Sequence, residues 1–178
     1  YDGCRVSASR WGRTETWRPD GQDFHFMRSG CHSTYTAASV LRDLSDVLAL
    51  VNPDTVYVTA PGDCHGDHDA LGRFTTQAVA AMENPPALYY YLIHADRTDI
   101  WPERDAERFR LPPMAADHPL LRCAAERRPL PDGFPPAEKY SLIQSYTSQD
   151  PAAYNGYLLA FAKNDELVFR VERLPSRT

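Results

Sequence analysis

Between residues 34 and 94 the apolar positions of this chain switch between helical spacing and short continuous runs. Val40, Leu41, Leu44, Val47, Leu48 and Val51 fall at i, i+1, i+4, i+7, i+8 and i+11, one face of a helix with 3.6 residues per turn. Arg42, Asp43 and Asp46 cover the other face. A hydroxyl at Ser33 or Thr34 is the expected cap at the start of this helix. Asn52-Pro53-Asp54 ends it, since proline disfavours helix at the residue before it. Thr55–Thr59 then reads as a short strand, and Ala70, Leu71, Phe74, Ala78 and Ala81 trace a second helical stripe, ended by Asn84-Pro85-Pro86. The run Ala-Leu-Tyr-Tyr-Tyr-Leu-Ile-His over residues 87–94 is a continuous apolar and aromatic run too short for a typical helix, which suits a strand covered on both faces. Helix, strand, helix, strand in this order predicts a βαβ-type unit and an α/β fold with a mostly parallel sheet. Residues 61–69 and His94 then lie at the carboxyl ends of neighbouring strands, where such sheets bind ligands.

The flanks are less regular. Residues 1–33 carry little periodicity, and their aromatics (Tyr1, Trp11, Trp17, Phe24, Phe26) favour a segment tucked onto the core. Residues 95–136 hold Pro102, Pro112, Pro113, Pro119, Pro129, Pro131, Pro135 and Pro136, which predicts a long surface excursion with one short helix. Excursions of this length in compact domains commonly wall a site. From Ala137 a helical pattern returns through Leu142, Ile143 and Tyr146, then through Tyr154, Tyr157, Leu158 and Phe161, so two helices separated near Gln149 are expected. Leu167–Val171 reads as a last short strand. No repeat or composition shift divides the chain, and residues 1–178 are expected to form one domain.

Composition narrows the classes of function. The 178 residues, 43% hydrophobic and 24% charged, are those of a globular domain with a real core. A net charge of −5 offers no electrostatic footprint for nucleic acid or an anionic membrane surface. No window approaches 18 uninterrupted apolar residues, so no transmembrane helix is expected. Residue 1 opens neither a charged nor an apolar leader segment. The four cysteines, Cys4, Cys31, Cys64 and Cys123, form no CxxC pair. Cys4 and Cys31 bridge in one reading and stay free thiols in the other, so the compartment stays open.

The chemistry concentrates in Pro61–Asp69, where Asp63, His65, Asp67 and His68 form D-x-H-x-D-H between a strand and a helix. Zinc is held by imidazole nitrogens and carboxylate oxygens, with one position left for water in a catalytic site. A metal-ligating histidine gives its other ring N–H to a carboxylate or carbonyl, and a second histidine can polarise a carbonyl and protonate a leaving amine. Asp67 lies between the two histidines, close enough in sequence to orient one. Cys64 is left out, because its side chain and that of the adjacent His65 point apart. His25 and His32 read as surface residues and His118 as a turn residue. His94 suits a structural role and a site role equally.

These residues resemble the second motif of the PIG-L/LmbE-like zinc N-deacetylases: Asn52-Pro-Asp-Thr-Val-Tyr-Val, then Asp63-Cys-His-Gly-Asp-His-Asp-Ala-Leu-Gly72. The family's usual form is strand, H-P-D-H, helix, with Gly66 here in place of proline. Lys139-Tyr-Ser-Leu-Ile-Gln-Ser-Tyr-Thr-Ser-Gln149 and Tyr157-Leu-Leu-Ala-Phe-Ala-Lys-Asn-Asp-Glu166 resemble two later family segments, so the resemblance spans residues 34–169. It implies a Rossmann-like three-layer fold and one Zn2+ per complete site. It also implies hydrolysis of an N-acetyl group on an amino sugar or glycoconjugate. His68 matches the zinc ligand, His65 the oxyanion-stabilising general acid, Asp67 the carboxylate that orients His65, and Asp63 a substrate-pocket position. The family's first motif, His-Pro-Asp-Asp-Glu, has no counterpart in these residues. The expectation is therefore the C-terminal portion of a deacetylase, lacking the first strands, with an N-terminal portion of the same protein as partner. Two other readings compete. A metallo-β-lactamase-like hydrolase shares a histidine-rich loop after a strand, with Asp63 in place of the first histidine. A non-catalytic carbohydrate-binding domain would use the ten tyrosines and three tryptophans for stacking.

Overall fold

The computed structural model describes residues 6–21, 23–96, 98, 100–149 and 156–175. Four helices and four strands are present among them: α1 (Phe24–Ser29), α2 (Ala37–Val51), β1 (Thr55–Thr59), α3 (Gly66–Ala81), β2 (Ala87–Tyr91), β3 (Ala124–Pro129), α4 (Pro136–Gln144) and β4 (Asp165–Arg170). Two compact units divide them. One comprises Tyr1–Val56, Arg73–Pro86 and Leu174–Thr178, the other Tyr57–Gly72 and Ala87–Arg173.

In the first unit, α1 is capped by Asp23, whose carboxylate accepts from the Phe26 N–H at 2.9 Å. The Thr16 hydroxyl at 2.8 Å and His32 Nδ1 at 2.5 Å complete its shell. The Phe26 amide, with smaller help from His32 and Thr16, holds the Asp23 pKa down at about 2 against the opposing effect of burial. Helix α2 starts later than its sequence suggests. Ser33 and Thr34 are drawn into a bridge with Glu15 and Thr16, so Thr36 caps the helix by accepting from the Ser39 N–H at 3.1 Å. Asn52, in the left-handed region at φ 45°, ends it before Pro53 as expected. The predicted stripe is only partly inward: Leu48 is buried, whereas Val40, Val47 and Val51 are exposed. The expectation that the N-terminal aromatics are buried fails at Trp11 and Trp17. Both are exposed and lie under the guanidinium groups of Arg10 and Arg13 instead. Tyr1, Cys4 and Tyr154 lie outside the described residues, and with them the Cys4–Cys31 pairing.

The second unit is built on a four-stranded sheet in the order β1-β2-β4-β3. The α/β class stands, but the sheet is mixed rather than mostly parallel, since β4 runs antiparallel to both β2 and β3. Tyr89 and Tyr90 face Arg170 and Phe169, and Ala124 through Pro129 pair in full with Arg170 through Asp165. Strand β2 supplies Leu88, Tyr89 and Tyr90 to the core, with Leu92 just beyond its end, and β4 supplies Leu167, Val168 and Phe169. Burial on both faces of β2 was rightly read from its apolar run, whereas the direction of its β4 neighbour is a long-range property that no run reveals.

Strand β3 lies inside the stretch expected to be an excursion. Its Ala-Ala-Glu-Arg-Arg-Pro sequence lacks β-branched residues, and it is held by pairing with β4 and by Arg127, which binds the buried Asp165 carboxylate at 3.1 Å. The short helix expected in that stretch is a 3-10 turn at Pro119–Arg122. Of the two expected C-terminal helices the first is α4, and the start of the second lies in residues 150–155, outside the described residues; 3-10 turns are present at Thr147–Gln149 and Leu158–Phe161. The buried line of α3 also shifts from the predicted one: Leu71 and Ala81 are exposed, and Gly72, Thr75, Ala78 and Val79 are buried.

Gly72 marks the closest approach of α3 to the chain leaving β1. A Cβ there would stand 2.4 Å from the Thr59 carbonyl oxygen and 2.8 Å from the Pro61 nitrogen. Both are backbone atoms, so neither can swing aside. Gly72→Ala is expected to cost ~1–3 kcal/mol, read as a fall of about 2–4 °C in Tm per kcal/mol in a chain of this size. An unchanged thermal melt would contradict this contact.

Candidate functional site

The site grows out of the carboxyl end of β1. Ala60 extends the strand by donating its N–H to the Tyr91 carbonyl at 2.9 Å, and it is fully buried. The chain then turns through Gly62 and returns into the first turn of α3. The turn is stitched from several sides: Gly62 N–H to Asp69 Oδ1 at 2.7 Å, Thr59 hydroxyl to the His68 carbonyl at 2.9 Å, and Cys64 N–H to the His94 carbonyl at 3.0 Å. Asp67 and Asp69 sit in the first turn of α3, where carboxylates complement the helix dipole.

Asp63 is the centre of this loop. Its side chain is fully inaccessible, and both carboxylate oxygens are engaged. Oδ1 accepts from the His65 N–H at 2.9 Å and faces His68 Nδ1 at 3.2 Å. Oδ2 accepts from the Ile93 N–H at 3.0 Å and the His94 N–H at 3.1 Å. One carboxylate thus ties the β1–α3 loop to the chain leaving β2 and orients an imidazole. Burial, and after it the charge of Asp63, pushes the pKa of the nearby Tyr91 hydroxyl up.

Three imidazoles gather above it. The ring centroids of His65 and His68 are 4.6 Å apart, those of His68 and His94 5.4 Å, and those of His65 and His94 5.8 Å. His94 stacks in turn on Tyr157 at 5.3 Å, and Tyr157 donates its hydroxyl to the Ile93 carbonyl. Ile93 is therefore held by Asp63 on its N–H and by Tyr157 on its carbonyl. Ile93 also helps line a cavity of about 340 Å³, with Tyr57, Tyr91, Trp101, Phe109 and Arg128 among the other walls.

The structure brings Asp63, His65 and His68 together, with a division of labour different from the sequence expectation. Asp67 is exposed and makes no hydrogen bond to His65 among the described residues. The carboxylate that orients a histidine is Asp63, and the histidine is His68. A substrate-wall role does not suit Asp63, whose oxygens are taken up inside the loop. His94 and Tyr157 join the cluster; the position of His94 at the end of β2 was the only sequence signal for it, and Tyr157, which opens a segment resembling the family, was given no site role. Elsewhere, His25 is buried and His32 half-buried, each paired with a carboxylate, contrary to the surface reading. His118 fits its turn reading, capping the Pro119–Arg122 turn.

His68 has Nδ1 facing a buried carboxylate, and its Nε2 makes no hydrogen bond among the described residues. Among the described residues, no group of three His, Cys, Asp or Glu side chains is arranged to hold a metal ion. Comparison with protein-family models, curated proteins and solved structures found no match to this chain.

Proposed function

We propose that this chain carries part of a zinc-dependent N-deacetylase site, hydrolysing the N-acetyl group of an amino sugar or glycoconjugate. The observation that carries this reading is the Asp63–His68 couple, a buried carboxylate behind an imidazole whose Nε2 is free. The resemblance of residues 52–72 to the second deacetylase motif supports it. In this proposal an N-terminal portion of the same protein supplies the missing His and Asp ligands, the general base, and the first strands of a Rossmann-like three-layer fold.

When bound, zinc supplies Lewis acidity and a water whose pKa falls to about 7. His68 would hold the ion through Nε2, with Asp63 fixing its tautomer from behind. His65, at 4.6 Å from the His68 ring, donates a hydrogen bond to the acetyl carbonyl oxygen as that oxygen gains negative charge. The same proton then passes to the departing amine. His94, stacked between His68 and Tyr157, limits rotation of the His68 ring. The aromatic cavity beside Ile93 offers flat faces for a sugar ring.

Calorimetric titration of this chain with zinc tests the shared site. Weak, sub-stoichiometric binding is expected from one oriented ligand. Tight binding of one zinc per chain without an N-terminal portion would sink the shared-site reading.

A further inference from the structure

A second constellation lies in the other unit, in residues the deacetylase reading does not use. Asp43 Oδ1 stands 2.6 Å from His25 Nδ1, and His25 Nε2 stands 4.0 Å from Cys31 Sγ. With Nδ1–H donating to Asp43, the lone pair on Nε2 faces the thiol. Nucleophile, base and orienting carboxylate then follow one another as in an activated-nucleophile site. Burial favours the arrangement: His25 is 7% exposed and held in place, while Cys31 is exposed to reagents. The left-handed turn at Gly30 that ends α1 brings Cys31 back beside Ser29, whose hydroxyl lies 3.3 Å from the sulfur and donates to the His25 carbonyl at 2.8 Å. Arg42 flanks the outer side of Asp43 at 4.0 Å.

We propose that Cys31, His25 and Asp43 form a second reactive site, in which the Cys31 thiol reduces small peroxides and becomes a sulfenic acid. His25 Nε2 takes the thiol proton. The sulfur lone pair attacks one peroxide oxygen, an S–O bond forms as the O–O bond breaks, and the departing hydroxide recovers the proton from His25 and leaves as water. Sulfur loses two electrons and the peroxide gains them, so that thiol plus hydrogen peroxide gives sulfenic acid plus water. Attack on an O–O bond needs a base beside the sulfur, access and a proton carrier, which the geometry supplies, and no oxyanion pocket. Reactive thiols sit in such settings, partly exposed and beside a histidine.

The molecule carries its own reference thiol. Cys64 is also exposed, and no imidazole lies within hydrogen-bond reach of its sulfur among the described residues. The test uses the full chain carrying Cys4→Ser, so that Cys4 cannot capture the sulfenic acid as a disulfide. The reduced protein is exposed to limiting hydrogen peroxide with dimedone present, and the adducts are mapped by peptide mass spectrometry. Cys31 is expected to be labelled about tenfold faster than Cys64, with the advantage lost in Asp43→Asn and in concentrated urea. Equal labelling of Cys31 and Cys64 in the native protein, or an advantage that persists in urea, would overturn the proposal. The urea comparison needs no folded variant.

Discussion

His68→Ala is expected to strip zinc from the complete site, while His65→Ala keeps the metal and lowers kcat by ~10² or more. The two rings are neighbours at 4.6 Å, so a general disturbance of the loop would affect both variants alike. Their difference lies in what stands behind each ring. His68 Nδ1 faces the buried Asp63 carboxylate, which leaves Nε2 as a fixed donor for an ion. His65 is tied to Asp63 through its backbone N–H, so its ring remains available to the reacting group. Metal content by elemental analysis and the rate of acetate release, both on protein that includes the proposed N-terminal portion, separate the roles. Equal zinc loss in the two variants would refute the division.

Asp63 should be the most costly position in the loop to truncate. Asp63→Ala leaves the amides of His65, Ile93 and His94 and the Nδ1 of His68 without their acceptor, in a place where the carboxylate has no access to solvent. Leaving a buried donor without its acceptor costs about 1–3 kcal/mol, and several are stranded together here, so a large fall in the denaturation midpoint is expected. Asp63→Asn keeps the shape and one carbonyl acceptor but turns an NH2 group toward surrounding donors. It is expected to fold with a smaller stability loss and to weaken zinc binding by ~10–100-fold, as loss of a carboxylate behind a metal-ligating histidine does. Zinc affinity unchanged in Asp63→Asn would mean that His68 is oriented by something else.

Local signals in the chain marked β1, the end of α2, and the apolar run of β2. Each is set by nearby residues: a short apolar run, a proline after a left-handed asparagine, or continuous burial. Strand β3 was hidden because Ala124–Pro129 carries a glutamate, two arginines and a proline, and its reason for being a strand lies some forty residues later in β4. The mixed sheet was hidden for the same reason: apolar content shows that β2 is covered, not which way its neighbour runs. In the site, spacing drew His65 and His68 together correctly but attached the orienting role to the nearest carboxylate, Asp67. The turn at Asp63, with its carboxylate on the N–H two residues ahead, is a recognised local habit of aspartate and was the readable sign of its true position. The contacts from Ile93, His94 and Tyr157 depend on how β2 and the later chain are brought to the loop, and no spacing within residues 61–69 contains them.

The outer side of the site loop is sealed from far along the chain. Gly62, at φ 91°, gives its carbonyl to His118 Nε2 at 3.2 Å, and His118 Nδ1 accepts from the Leu120 N–H, which sets the imidazole tautomer. A Cβ on residue 62 would stand 2.9 Å from that ring and 3.0 Å from Pro119 Cδ. Positions 62 and 118 are therefore expected to change together. Among related chains they should covary, and a chimera that exchanges residues 95–123 while keeping residues 61–69 would lose the latch that a swap of both segments preserves.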